Sequence, residues 1–187
     1  MSEIVEAIRN IVFKGRDSAG QPRDFLTDIL GRQKTVAGKD NGFRADIGVV
    51  AASGFAAEII PPAAVANVTV VVHGIFISKP TALITVRIIK NETASTGGTS
   101  TNAVIVPLGA YDSRGTTVKI FTVAPTAGAA LGDLAEHVVD TTDWMFFPFG
   151  EHGEAPLELY YPTDTLAVNV SAAATITGYI AFSEVQR

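Results

Sequence analysis

Thr165-Leu166-Ala167-Val168-Asn169-Val170, and after it Thr175-Ile176-Thr177-Gly178-Tyr179-Ile180-Ala181-Phe182, alternate large apolar residues with small or polar ones. A period of two is the signature of an extended strand with one face on a core, here one apolar face and one small, polar face. Working back from these two strands, runs rich in Val, Ile, Thr and aromatic residues recur between short Gly, Pro, Asn and Thr breaks. They cover residues 68–77, 82–90, 103–107, 116–123, 143–149 and 157–161. About eight strands with no long helical interlude predict a mainly β body, an antiparallel, jelly-roll-like sandwich. Parallel pairing would need crossover helices, for which the connections are too short. Residues 132–139 fit a helical turn or a strand equally. Residues 91–102, with Ser95-Thr96-Gly97-Gly98-Thr99-Ser100, read as a flexible loop tip.

Upstream the pattern changes. Ser2 as a cap, Glu3 and Glu6 near the positive end, and Ile4, Val5, Ile8, Ile11 and Val12 at helical spacing predict a short N-terminal helix. The turn-rich residues 14–22 lead into short extended pieces between Arg23 and Val36. A polar patch around Lys39-Asp40-Asn41, an Ala/Gly-rich stretch and the Pro61-Pro62 break complete the segment. With so few large apolar residues in sequence, residues 1–62 are expected to form an arm that gains a fixed path only on another surface. Residues 63–187 are expected to form the body.

Composition narrows the function. The 187 residues include no cysteine, which removes disulfides, thiol catalysis and Cys-ligated metals. Mean hydropathy is +0.29, but the longest apolar run, residues 63–77, is broken by Asn67, Thr69 and His73. It is shorter than the roughly 20 residues of a membrane helix. Met1-Ser2-Glu3 offers no basic start of a secretory signal. Net charge is −5. Residues 1–44 carry a local excess of positive charge, whereas no Lys or Arg lies between Ile120 and Gln186. Such an acidic body repels phosphate, so a protein partner is expected rather than nucleic acid or a membrane.

The chemistry-bearing residues are sparse. His73 sits in a strand-like run and reads as structural. His137 lies near Asp133, Glu136 and Asp140, a weak divalent-metal face that no second histidine completes. His152-Gly153-Glu154 lacks the Cys partners of a zinc deaminase. Glu151, Glu154 and Glu158 form no carboxylate pair that sequence spacing alone identifies as a glycosidase dyad. Asn67, Asn91 and Asn169 head sequons that read as chance matches in a Thr-rich chain. No nucleophile elbow, Walker A or dinucleotide motif is present. No catalytic, metal or cofactor residue is therefore assigned. Trp144-Met145-Phe146-Phe147-Pro148-Phe149 is the densest aromatic stretch. Trp144, Phe146 and Phe149 are expected to anchor the core or a subunit interface, with a sugar platform as the other reading.

Two stretches carry a resemblance. Gly15-Arg16-Asp17 followed by Arg23-Asp24-Phe25-Leu26-Thr27-Asp28-Ile29-Leu30-Gly31-Arg32 resembles a G-x-D … L-x-T-D-x-x-G-R segment near the N-termini of tailed-bacteriophage virion proteins. The layout from Ile88-Ile89-Lys90-Asn91 through Val106-Pro107-Leu108, Ala124-Pro125-Thr126, Trp144 to Gly150, Ala155-Pro156-Leu157 and Leu166 to Val170 is similar to small phage structural proteins with a β-sandwich body. Some of these are capsid decoration (cement) proteins. The resemblance implies a non-enzymatic virion protein on the capsid surface. Its implied partners are the major capsid protein and its own copies, most simply in a trimer. Arg16, Arg23, Arg32 and Lys34 are then the expected shell contacts. A tail-fibre, baseplate or receptor-binding module gripping glycan through Trp144–Phe149 or Gly97–Asn102 is the alternative. A hydrolase with a carboxylate pair is a third.

Overall fold

A computed structural model describes residues 13–16, 22–27, 33–34, 41–51, 54–63, 68–108, 115–150 and 156–186. The chain divides into two units, Met1–Lys39 and Asp40–Arg187.

In the first unit, β1 (Phe13–Arg16), β2 (Pro22–Thr27) and β3 (Gln33–Lys34) form an antiparallel sheet in chain order. Phe13 stands opposite Phe25, Arg16 opposite Pro22 and Leu26 opposite Lys34. The extended pieces expected here thus pair with one another, meeting their backbone hydrogen bonds locally instead of waiting for a foreign surface. The helix expected over the first twelve residues, and Arg32, lie outside the described residues.

The second unit is spun on two long strands, β7 (Val68–Ser78) and β16 (Ala174–Gln186). Val68-Thr69-Val70-Val71-Val72 and Ile75-Phe76-Ile77 are β-branched or aromatic, which favours the pleated backbone. The two strands pair antiparallel from Thr177 opposite Ser78 to Gln186 opposite Val68, with a bulge at Ala181/Phe182. On the outer edge of β16 lie β4 (Asn41–Asp46) and then β5 (Val49–Ala51). On the outer edge of β7 lie β13 (Trp144–Pro148) and then β14 (Leu157–Tyr160). With β10 (Ile105–Pro107) beyond β4, the seven-stranded sheet runs β10-β4-β16-β7-β13.

The second sheet contains β6 (Ala57–Ile60), β8 (Ile84–Asn91), β9 (Thr99–Asn102), β11 (Thr117–Val123), β12 (Ala130–Val139) and β15 (Thr165–Val170). Its order is β12-β8-β15-β6-β11-β9, again antiparallel throughout. No helix occurs among the described residues. One buried cluster draws on both sheets: Phe43, Val70, Ile75, Ile77, Ile180 and Phe182 from the first, and Ile59, Val86, Ile88, Leu166 and Val168 from the second. Burial of this apolar area is the dominant favourable term for the body.

Several expectations change. The boundary expected after residue 62 falls before Asp40, because β4, β5 and β6 belong to the body's sheets. Phe43, Ala45 and Ile47 are fully buried while Arg44 and Asp46 point outward. That is a clean two-residue period, disguised by glycines and alanines on either side. Residues 132–139 are strand, not helix. The end of the presumed loop tip, Thr99–Asn102, is a strand paired with β11. In β15 the small face is covered as well: Ala167 is buried with Phe55 and Phe121, whose rings meet edge-to-face at 5.9 Å. A central strand coated on both sides is what its smaller residues accommodate.

Candidate functional site

Among the described residues, a cluster of aromatic side chains lies on the face of the seven-stranded sheet turned away from the core. It is built by cross-strand register. Trp144, Ser78 and Thr177 stand in one row across β13, β7 and β16, and Phe146, Phe76, Tyr179 and Asp46 stand in the next. The Phe76 ring lies 6.0 Å from Trp144 at 31° and 5.3 Å from Tyr179 at 23°. The Arg44 guanidinium lies over the Tyr179 ring, 4.3 Å from its centroid. Guanidinium, phenol, phenyl and indole therefore form one ladder of stacked planar groups, each contact favourable through ring electrostatics and dispersion. Arg44 Nε donates to Asp46 Oδ1 at 2.9 Å, both side chains about half exposed. A trough of about 360 Å³ runs beside the ladder, lined by Arg44, Asp46, Gly48, Phe76, Ser78 and Thr177, with Tyr179 and the Gly178 backbone.

Trp144, expected in the core or a subunit interface, is 66% exposed, and Phe146 is 37% exposed. The core position in this stretch is Phe147, buried and opposite Ile75. The period of two puts Phe147 inward and both its neighbours outward, a parity that aromatic density alone does not reveal. Phe146 leans across β7 over Gly74, where an added Cβ would come within 2.5 Å of its ring, so any larger residue there would have to displace the ring. Phe149 is half-buried against the core. Arg16, Arg23 and Lys34 fall on β1, β2 and β3.

The titratable residues weighed in sequence scatter. His73 Nε2 lies 3.0 Å from Ser183 Oγ, a structural contact across β7 and β16. On β12, Asp133 and Glu136 turn to Arg87 on β8. The hydrogen bond and charge of Asp133, with Glu136 beyond it, raise the Arg87 pKa above its ordinary value against desolvation. Asp133 and Glu136 are thereby engaged, Asp140 Oδ1 accepts from Thr141 N at 2.6 Å, and no group of three metal-ligating side chains forms among the described residues. Glu158 accepts from the Tyr160 hydroxyl, while Glu151, His152 and Glu154 lie outside the described residues. The sequon asparagine Asn91 is buried.

Sequence reasoning missed Glu58. It is fully buried on β6 and accepts from Ser95 N at 3.1 Å, from Ser95 Oγ, and from Thr165 Oγ1 at 2.8 Å. It ties the turn after β8 to the central strands. A lone Glu inside Ala56-Ala57-Glu58-Ile59-Ile60 was the available signal, since an acid amid apolar residues must find donors or remain exposed. Replacing Glu58 by alanine strands these donors and is expected to cost about 3 kcal/mol in urea unfolding, with Glu58→Gln milder because one acceptor remains. An alanine variant as stable as the parent would show that the network holds nothing.

No family model, no characterised protein and no solved structure matches this chain.

Proposed function

We propose that this chain is a non-enzymatic structural protein of a tailed-phage particle, a homo-oligomeric decoration protein that reinforces the head shell. Its body is read as a jelly-roll sandwich. Counting β4 with β5 as the first principal strand, then β6, β7, β8, β12, β13 with β14, β15 and β16, the sheets run first-eighth-third-sixth and second-seventh-fourth-fifth. This order supports the jelly-roll reading, with β9, β10 and β11 inserted between the fourth and fifth strands. Viral capsid and lectin domains use that architecture, an analogy of fold and not of site.

The observation that carries the assembly role is the edge strand β12. Among the described residues it pairs only with β8, and it exposes Leu131, Leu134 and Val138. Beside it a cleft of about 350 Å³ is lined by Leu134, Phe146, Pro148, Phe149 and Leu157. A long edge with unpaired backbone and apolar side chains favours association unless it is covered. A second copy of the chain covers it in this reading. The basic residues Arg16, Arg23, Arg32 and Lys34 of the first unit contact the shell.

Two measurements test this. The full chain, added to undecorated heads of the phage whose genome carries it, co-sediments and raises their resistance to heat. Leu134→Asp shifts the sedimentation coefficient of the isolated protein from oligomer to monomer. A parent chain that is already monomeric, or that leaves the heads untouched, overturns the reading.

A further inference from the structure

We propose that copies of this chain join head to tail, the β10 edge of one seated on the β12–β13 edge of the next, so that they close a ring. Head-to-tail joining presupposes the homo-oligomeric reading above and supplies the surface of the second copy that covers β12.

β10 and β13 are the two ends of the seven-stranded sheet, so the β10 edge lies on the side of the body opposite the cleft between β12 and β13. Val104-Ile105-Val106-Pro107-Leu108 is apolar throughout. Ile105 packs against the core, whereas Val104, Val106 and Leu108, at alternate positions, are 72%, 43% and 68% exposed. A strand apolar on both faces suits a place covered on both faces. Among the described residues β10 has only β4 beside it. Apolar surface therefore stands on two opposite sides of one molecule. A two-fold contact of either side with itself covers that side and leaves the other in water. Contact of one side with the other covers both in every copy, and a ring results when the rotation closes.

The two sides complement each other. Alternate side chains of β10 stand about 7 Å apart, a row of apolar knobs. The cleft of about 350 Å³, lined by Leu134, Phe146, Pro148, Phe149 and Leu157, is the hollow that takes them. Charge points the same way. The β12–β13 side carries Asp133, Glu136, Asp140 and Asp143 against Arg87 and Lys79, a net negative surface. Residues 99–108 contain no charged residue. The next strands inward bring Lys119, opposite Asn102, and Arg44, opposite Val106 and paired with Asp46, a net positive surface. Neither edge is suited to adding a strand. Register shifts interrupt β12 at Ala130/Gly132 and at Asp133/Ala135, and Pro107 removes an amide donor from β10. The contact is one of side chains, not of a continued sheet.

Sedimentation of the full-length protein tests this. The parent is expected to form one closed oligomer, and Val106→Asp and Leu134→Asp, each blocking one side, are each expected to run as monomers. Their equimolar mixture at high concentration is expected to run as a dimer, because an intact β10 edge then meets an intact β12–β13 edge. Val104→Asp takes the place of Val106→Asp if circular dichroism shows that the latter disturbs the fold. The chain has no cysteine, so a short bismaleimide joins introduced thiols alone. Val104→Cys mixed with Leu134→Cys is expected to cross-link between copies, and neither variant by itself. A monomeric parent overturns this proposal together with the homo-oligomeric reading. An oligomeric parent that Val106→Asp leaves intact, or in which Leu134→Cys links to itself and not to Val104→Cys, overturns head-to-tail joining and leaves the homo-oligomer standing. Open-ended growth with concentration, in place of one closed species, overturns the ring.

Discussion

Replacing Phe43 by alanine will cost about 3–5 kcal/mol, a large share of the roughly 5–15 kcal/mol that holds a domain of ordinary stability together. The ring is fully buried and stacks on Phe182 at 5.4 Å, joining β4 to β16 in the middle of the shared core. Removing it forfeits the transfer free energy of the ring and leaves a hole bounded by strands on both sides, which cannot close without disturbing the β4–β16 register. Denaturant unfolding of the full chain measures the loss. The same substitution locates the domain boundary. Were residues 41–62 part of an arm outside the core, the change would stay within about 0.5 kcal/mol, as surface substitutions do.

The second large effect comes from two truncations. Deleting residues 1–39 is expected to leave a folded, β-rich body, since every strand from β4 onward keeps its partners. That body no longer sediments with undecorated heads if the basic first unit makes the shell contacts. Deleting residues 1–62 removes β4, β5 and β6 and with them Phe43, Ile47 and Ile59. It strips one edge of β16 of its partners β4 and β5 and opens the six-stranded sheet between β15 and β11. Loss of cooperative unfolding and of near-ultraviolet circular dichroism is expected. A stable body from the longer deletion would contradict the topology. Intact head binding by the shorter one would contradict the role of the first unit while leaving the fold untouched.

The eight runs from residue 68 onward announced themselves because their inward positions hold Val, Ile, Leu and Phe, so the period of two survives casual reading. β4 carries the same period in Phe43, Ala45 and Ile47, but Gly42, Gly48 and the alanines after it lower the contrast, and its partner β16 lies some 140 residues away. Sequence windows register hydrophobic contrast, not distant pairing. β9, made of Thr99, Ser100, Thr101 and Asn102, has no apolar member at all and exists by backbone pairing with β11. The candidate site was half legible. Trp144 was conspicuous, but the ladder behind it takes Phe76, Tyr179 and Arg44 from three other strands, and only the register lines them up. Glu58 shows the reverse: a residue whose surroundings in sequence looked wrong for it, and whose partners Ser95 and Thr165 become neighbours only when the sheets form.

The pairing of β4 with β16 sets Asn41 opposite Glu184. The body's first and last strands therefore finish side by side, close enough to be sewn together by a short linker, as the neighbouring termini of a permutable domain are. A permuted body, closed between these strands and reopened in an exposed turn such as Gly97-Gly98, would keep every sheet contact while moving the attachment of the first unit. It also means that a peptide fused behind Arg187 emerges beside the point where that unit joins, so passengers meant for display are better carried at another corner of the molecule.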